Sequence, residues 1–316
     1  MIEILNLALP FFGLIFLGVV ASRFWHVGEE GLQWINIFLI NFALPALIFL
    51  VIAAAPFEKL VDWPYVTATS TVTIICFLGM VALSWIMLGT QLDTATLQGT
   101  AASYGNVGYM GLPLAVAFFG SEAAVPAALV FCFDCAVQFV LTAFLATLAR
   151  ERKAQAQWGI LIASIAKQVV LHPFIIATAL GMVASAFSFK VPGAIGTVLE
   201  MLMKSAGPCA LFALGVTVGL RRFSGVGREL PLVVGIKTIA QPLLALLIVG
   251  SLPGLDPLWL HVALMMAALP TASNAFILAR QYDAYVDGAS TAVIVTTVVT
   301  AVTIPLLVYA AKAGMF

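Results

Sequence analysis

The chain has 316 residues, of which 63% are hydrophobic and 9% are charged, and its mean hydropathy is +1.12. Soluble domains carry roughly 25% charged residues, so this composition excludes a soluble globular protein and predicts an all-α integral membrane protein. The 14 basic and 14 acidic residues cancel, which gives no basis for a nucleic-acid partner.

Hydrophobic runs long enough to cross a bilayer recur ten times. The first run lacks a basic leader and contains Pro10, which indicates a membrane span and not a cleaved signal. The most charged connection, at 150–153, divides the chain into a five-span unit at 1–152, a cytoplasmic linker at 153–158 and a second five-span unit at 159–316. The predicted spans are 4–22, 32–53, 65–88, 96–119, 123–149, 160–186, 193–219, 230–250, 258–280 and 288–311.

The two halves are related in sequence by a shift of 163 positions. Because each half has an odd number of spans, the second half must enter the membrane from the opposite side, which predicts two inverted five-helix repeats. The shift aligns two prolines and one glycine with their own residue types, at Pro10 and Pro173, Gly18 and Gly181, and Pro45 and Pro208.

Two spans are interrupted at corresponding places in the two halves. Span 4 carries several glycines and a proline inside an apolar run, and span 9 carries a proline followed by polar residues. Such residues break a helix, and broken, crossing helices in a carrier mark its binding site. The candidate substrate-binding residues are therefore Asn106, Gly108, Gly111, Pro113, Pro270, Thr271, Ser273 and Asn274.

The expected chemistry of this crossing is the binding of an anion. Pro113 and Pro270 place the breaks near the membrane midplane, where the positive ends of two half-helices converge. The amides of Asn106 and Asn274 can donate to a carboxylate, and no basic side chain lies within the two breaks. The alternative is that these asparagines only satisfy the backbone of a kink.

Span 5 carries an acidic residue that needs a partner or a proton. Asp134 lies near its middle, with Gln138 one turn away on the same face. The functional interpretation is a coupling site for a proton or a cation such as sodium, and the alternative is a packing residue. His172 is interpreted as a packing group, and the sequence predicts no metal site and no cofactor.

The basic residues favour one orientation. With both termini external, eight arginines and lysines lie on the inner side and three on the outer side, whereas Lys167, Lys204 and Lys237 lie within or at the edges of spans and are not counted. The inner set is Arg23, Arg150, Arg152, Lys153, Arg221, Arg222, Arg228 and Arg280, and the outer set is Lys59, Lys190 and Lys312.

Span 7 contains Gly215 and Gly219 in a G-x-x-x-G pattern. This pattern lets two helices approach closely, and the partner is either another helix of the chain or a second protomer.

The chain resembles the auxin efflux carrier superfamily, including its bacterial malonate and malate permeases. The resemblance covers nearly the whole chain and is most specific in its last block, which is similar to the carboxyl-terminal region of the plant carriers. It rests on N-F-A-L-P-A-L-I-F at 41–49, on 106–113, on Leu269-Pro270 with Asn274, on A-R-Q-Y-D at 279–283 and on S-T-A-V-I at 290–294.

The resemblance implies a scaffold and dimer surface from spans 1, 2, 6 and 7, and a transport domain from spans 3–5 and 8–10. Substrate then binds where spans 4 and 9 cross. This chain lacks the plant carriers' long loop between spans 5 and 6, and span 3 has no charged residue. Both departures favour a small bacterial carboxylate over auxin.

The expected function is therefore secondary transport of a small organic anion, malonate or a related dicarboxylate, by a homodimer in the bacterial inner membrane. The alternatives are an efflux carrier for aromatic weak acids and a membrane sensor that binds a carboxylate without moving it. An enzyme is not expected, because no Ser-His-Asp or H-E-x-x-H arrangement occurs.

Overall fold

The computed structural model describes residues 2–25, 28–151, 170–189, 191–221 and 227–315, with residues 163, 167 and 225 as single positions. The predicted linker at 153–158, most of the first half of span 6, and Arg152, Lys153, Lys190, Arg222 and Phe316 lie outside these residues. The described chain is helical and contains no strand, in agreement with the predicted all-α class.

The described helices follow the predicted spans closely. Six of them are long and apolar enough to cross a membrane. The helices are α1 (Ile2–Phe24), α2 (Glu30–Ala54), α3 (Trp63–Met87), α4 (Leu92–Ser103), α5 (Val107–Phe119), α6 (Ala124–Glu151), α7 (Pro173–Ala186), α8 (Gly193–Leu220), α9 (Leu230–Val249), α10 (Pro257–Ala267), α11 (Ser273–Gln281) and α12 (Val286–Lys312). Short 3₁₀ turns at Phe57–Val61 and Ser121–Ala123 complete the connections.

Both predicted interruptions are present. Span 4 is divided into α4 and α5, and span 9 is divided into α10 and α11. Each remaining predicted span that lies within the described residues forms one helix.

Three helices contain a π turn just before a proline. The turns at Leu39–Ala43, Val107–Gly111 and Ile236–Ala240 end two residues before Pro45, Pro113 and Pro242. Proline cannot donate the i→i−4 hydrogen bond, and its ring crowds the carbonyl of the preceding turn, so the helix widens there. A π turn redirects the side chains that follow it, and two of these three turns lie at the interruptions or beside them.

The helices pack in two groups. In the first, α1 lies along α8 and the second half of α2 lies along α7. In the second, α3 packs against α4, α6 and α9, while α9 packs against α10, and α11 against α12. The polar interior described below lies in the second group.

The glycines of the G-x-x-x-G pattern face α1 of the same chain. A Cβ on Gly215 would overlap the Ile15 carbonyl and lie 2.9 Å from the Cα of Gly18, and a Cβ on Gly219 would overlap Ser22. The motif therefore joins α8 to α1 within the protomer. The hypothesis that these two glycines form a dimer surface is wrong, because their surface is already occupied.

Candidate functional site

The two interruptions meet as a short pair of extended segments. Gly105 and Thr271 form an isolated antiparallel bridge, in which the Asn106 amide donates to the Pro270 carbonyl at 2.8 Å. The Ala272 amide donates to the Tyr104 carbonyl, also at 2.8 Å. The freed backbone of each break is thus satisfied by the other break, which is how non-helical backbone can persist at membrane depth.

The first break lies earlier than Pro113 suggested. Helix α4 ends at Ser103, the extended segment follows, and Pro113 comes after the π turn at the start of the regular α-helical part of α5. Pro270, in contrast, lies within its break. Pro113 therefore shapes the π turn of α5 and does not itself end α4.

A cavity of about 210 Å³ lies beside the crossing. Four of the eight predicted binding residues line it, namely Asn106 and Gly108 at the start of α5, and Ser273 and Asn274 at the start of α11. Both helices present their amino-terminal ends here, where amide groups lack intrahelical partners and the dipole is positive. The rest of the wall includes six ring-bearing side chains, namely Tyr104, Tyr109, Phe131, Phe139, His172 and Phe174.

Two polar atoms of residues in this wall have no hydrogen-bond partner among the described residues. They are Nδ2 of Asn106 and Oγ of Ser273, and both are buried. A buried unpaired polar group costs about 1–3 kcal/mol, so such groups need an explanation. An acceptor bound in the cavity would supply one.

Asn274 differs from Asn106 because its amide already has a partner. Its Nδ2 donates to the Tyr104 hydroxyl at 3.2 Å, and that hydroxyl donates to Cys135 Sγ at 3.5 Å. Tyr104 is buried, with its ring edge-on to Phe139. The two asparagines therefore offer one unpaired and one paired donor.

The other four predicted residues do not line this cavity. Thr271 is fully buried and bonds Ala101, and the Pro270 carbonyl is part of the bridge. A Cβ on Gly111 would lie 2.6 Å from Met266 Sδ, so its lack of a side chain permits close packing there. These residues build the crossing and its packing.

Pro113 lines a second cavity of about 980 Å³. This cavity also contacts Phe11 of α1, Leu211 of α8 and Trp259 of α10. Along α5, Gly111 lies between the residues that line the first cavity and those that line the second.

The two candidate coupling residues on α6 have different partners. Asp134 is buried and its Oδ1 accepts from Thr73 Oγ1 of α3 at 2.6 Å. Gln138 is fully buried and its Nε2 donates to Ser103 Oγ at 2.7 Å, while its Oε1 has no partner among the described residues. Asp134 also lines a small void of about 20 Å³ that does not include Gln138.

The sequence analysis missed two residues of α9 that reach the crossing. Lys237 is fully buried, and its Nζ donates to the Ala267 carbonyl and to Gln241 Oε1, both at 2.7 Å. Gln241 Nε2 donates to the Ser103 carbonyl at 3.1 Å. The two breaks themselves contain no basic side chain, and the basic group at the crossing comes from α9. An intramembrane lysine four residues before a glutamine was the available signal.

Among the described residues, no group of three or more His, Cys, Asp or Glu side chains could hold a metal ion. All four cysteines are free thiols.

Comparison with known proteins supports this description. The family described as "Membrane transport protein" matches residues 4–308. A "Putative malonate transporter" of Rhizobium meliloti is 36% identical over 314 residues, covering 99% of this chain and 98% of the relative.

More distant relatives cover the chain to different extents. An "Uncharacterized transporter" of Methanothermobacter thermautotrophicus is 27% identical and covers 93% of each chain. A "Probable auxin efflux carrier component 5c" of Oryza sativa is 28% identical over 43% of this chain and 38% of its own length. The chain therefore belongs to the membrane transport protein family of the auxin efflux carrier superfamily, and it is a multi-pass membrane transporter and not an enzyme.

Proposed function

We propose that the protein is a secondary active or potential-driven carrier of a small organic anion, malonate or a related dicarboxylate, that works by alternating access. The observation that carries this proposal is the pair of unpartnered buried groups, Asn106 Nδ2 and Ser273 Oγ, in the wall of the 210 Å³ cavity. The name of the Rhizobium relative supports the choice of malonate.

The first carboxylate binds at the ends of α5 and α11. Two helix amino-termini contribute roughly half an elementary positive charge each, and Asn106 and Ser273 add unpaired donors. Among the described residues, no arginine or lysine lines the cavity. A site of dipoles and neutral donors holds a carboxylate without the strength of a bidentate arginine, which suits a substrate that must also leave.

The second carboxylate can use His172 and Gln281, which line the same cavity. His172 Nδ1 accepts from the Phe174 amide at 3.4 Å. In a neutral imidazole the proton then lies on Nε2, which can donate to an anion. This tautomer gives His172 a role beyond the packing group expected from the sequence.

The aromatic wall favours one alternative substrate class. Six aromatic or imidazole rings line the cavity, and such walls suit the apolar body of an aromatic weak acid. Against this, ligand cavities for drug-sized molecules are about 300–1,000 Å³. The smaller volume here favours a short dicarboxylate.

The ten-span, inverted-repeat architecture is supported by matched pairs of contacts. The packing of α1 on α8 has its counterpart in that of α7 on α2, and the packing of α3 on α4 has its counterpart in that of α9 on α10. The two groups of packed helices correspond to a scaffold and a transport domain. The scaffold consists of α1, α2, α7 and α8, and the transport domain consists of the other helices. The repeats extend over 1–152 and 159–316.

The membrane placement follows from charge. We place the protein in the bacterial inner membrane with both termini external, from the eight-to-three excess of basic residues on the inner side. A homodimer would use the apolar side chains that α2 and α8 leave exposed, including Phe42, Ile195, Val198 and Met201. Proton and sodium are the candidate coupling ions, with Asp134 as the candidate carrier of the charge.

The test is uptake of labelled malonate by proteoliposomes, with and without a pH gradient. Asn106→Ala is expected to weaken malonate binding by roughly ten- to hundredfold. This is the loss of affinity that corresponds to about 1.5–3 kcal/mol, the contribution of a hydrogen bond to a charged group. The matched control is Asn41→Ala, because Asn41 is exposed and bonds only its own helix at Ile37. Malonamide, which lacks the charge, should compete poorly.

Two results would contradict the proposed function or its substrate. If Asn106→Ala folds and transports malonate as well as the unmutated protein does, the crossing is a structural kink. If the unmutated protein moves an aromatic acid and not malonate, the alternative substrate class is correct.

A further inference from the structure

The crossing has a second side, where the carboxyl-terminal ends of two half-helices meet. Helix α4 ends at Ser103 and α10 ends at Ala267, and the carbonyls of these two residues are held by side chains of one helix, α9. Helix carboxyl-termini are negative, and in carriers with broken helices such ends coordinate Na⁺ or H⁺. This side of the crossing is therefore electrostatically suited to a cation.

In this protein the position is already filled. The Lys237 ammonium donates to the Ala267 carbonyl and to Gln241, and Gln241 donates to the Ser103 carbonyl, so one chain of hydrogen bonds closes both helix ends. Lys237 Nζ also lies 3.5 Å from the position that a Cβ on Gly105 would occupy. The cation thus sits directly against the bridge between the two breaks.

An acidic residue of α6 carries the charge opposite to that of Lys237. Asp134 is buried and interacts electrostatically with Lys237, and Thr73 holds one of its oxygens at 2.6 Å. The void of about 20 Å³ lined by Thr73, Asp134, Gln241 and Gly105 has room for one water molecule.

We propose that Lys237 is a tethered cation that replaces a dissociable metal ion on this side of the crossing, so that the carrier works without sodium. The inference deepens the proposed transport function and rests on it, since it selects between the two candidate coupling ions. It assigns Lys237 and Gln241 as positioning residues that fix the two half-helices whose partners α5 and α11 form the anion site.

The experiment measures melting temperature in detergent without any substrate, so it is independent of whether malonate is transported. The purified protein is compared in NaCl and in choline chloride at equal ionic strength. The unmutated protein should melt at the same temperature in both salts. A specific stabilisation of the unmutated protein by Na⁺ would overturn the proposal, and this arm needs no variant.

Two variants separate charge from volume. Lys237→Ala leaves the carbonyl of Ala267 and the oxygen of Gln241 around an empty space, and it removes the charge with which the buried Asp134 interacts. Its melting temperature should rise saturably with NaCl or methylammonium chloride, by about 5 °C at concentrations far above the dissociation constant. Lys237→Met fills the space with an apolar chain and should show no such rise.

If Lys237→Ala is equally stable in choline, sodium and methylammonium salts, the site has no preference for a cation and the proposal is wrong. Should Lys237→Ala not survive purification, the comparison of salts on the unmutated protein still decides the question.

Discussion

Each side of the crossing is formed by the ends of two half-helices, but the two sides differ in whether their polar groups have hydrogen-bond partners. On the amino-terminal side, α5 and α11 face a cavity of about 210 Å³, and Asn106 and Ser273 have polar atoms without a partner in the described part of the chain. On the carboxyl-terminal side, Lys237 and Gln241 satisfy both helix ends and leave a void of about 20 Å³. The proposed function assigns ligand exchange to the first side, whereas the hydrogen bonds of the second side hold the two helix ends together.

The largest expected effect is a difference in stability between substitutions of two buried glutamines, Gln241 and Gln138, which both contact Ser103. Gln241→Leu leaves the Ser103 carbonyl without this donor and removes an acceptor from Lys237, so we expect a loss of about 3 kcal/mol. Gln138→Leu removes a neutral bond to Ser103 Oγ and also removes an unpartnered oxygen, so its cost should be within about 1 kcal/mol.

The measurement is the melting temperature of both variants in one detergent. Ser103 Oγ keeps its own bond to the Gly99 carbonyl in each case, so the two variants differ chiefly in whether a helix end loses its partner. Equal melting temperatures would show that Lys237 alone closes the carboxyl-terminal side.

Asp134→Asn tests whether a proton that drives transport binds on the carboxyl-terminal side of the crossing. Asparagine keeps the shape and can still accept from Thr73, but it cannot titrate. If one proton accompanies each substrate, one pH unit across the membrane is worth about 1.4 kcal/mol, or tenfold accumulation, and the variant should lose that gain. The control is Asp62→Asn, because Asp62 only caps α3 through the Tyr65 amide.

The readout is malonate uptake with the more acidic solution outside, against uptake at equal pH. Binding of malonate should remain measurable in Asp134→Asn. Gradient-driven uptake that persists in this variant would make Asp134 only the structural counter-ion of Lys237.

The sequence was sufficient to predict most of the fold and one side of the site. Hydrophobic runs located the helices, since the length of a span is set by the bilayer, and prolines and glycines located both breaks. Asn106, Gly108, Ser273 and Asn274 could be grouped because local helix breakage alone places them at half-helix starts.

The carboxyl-terminal side could not be predicted in the same way. Its residues come from α9, which is unbroken in sequence, and only tertiary packing brings Lys237 to Ala267 and Gln241 to Ser103. The π turn before Pro242 sets the direction of these side chains, and the apolar pattern of the span does not reveal it. The G-x-x-x-G pattern likewise showed that close packing occurs but not which helix is the partner.

The smallest expected effect separates the two asparagines on the ligand side. One of the two N–H groups of Asn274 Nδ2 already donates to the Tyr104 hydroxyl, so the amide has a single N–H left for a carboxylate. Asn274→Ala should therefore weaken malonate binding only about three- to tenfold, less than Asn106→Ala does. Tyr104→Phe removes the competing acceptor and should strengthen binding by about two- to threefold, since the freed Asn274 amide then gains a partner only from the ligand.

The double variant decides between an exchanging donor and a purely structural one. In the Tyr104→Phe background, Asn274→Ala should cost the full ten- to hundredfold expected for Asn106→Ala, because both N–H groups of the amide are then available to the ligand. Dissociation constants for malonate from the four proteins of this cycle give the coupling between the two residues. If Tyr104→Phe instead weakens binding as much as Asn274→Ala does, and the double variant is no worse than either, then Asn274 serves only to hold the Tyr104 hydroxyl. The ligand-exchanging side of the crossing would then rest on Asn106 and Ser273, the two residues whose polar atoms have no partner among the described residues.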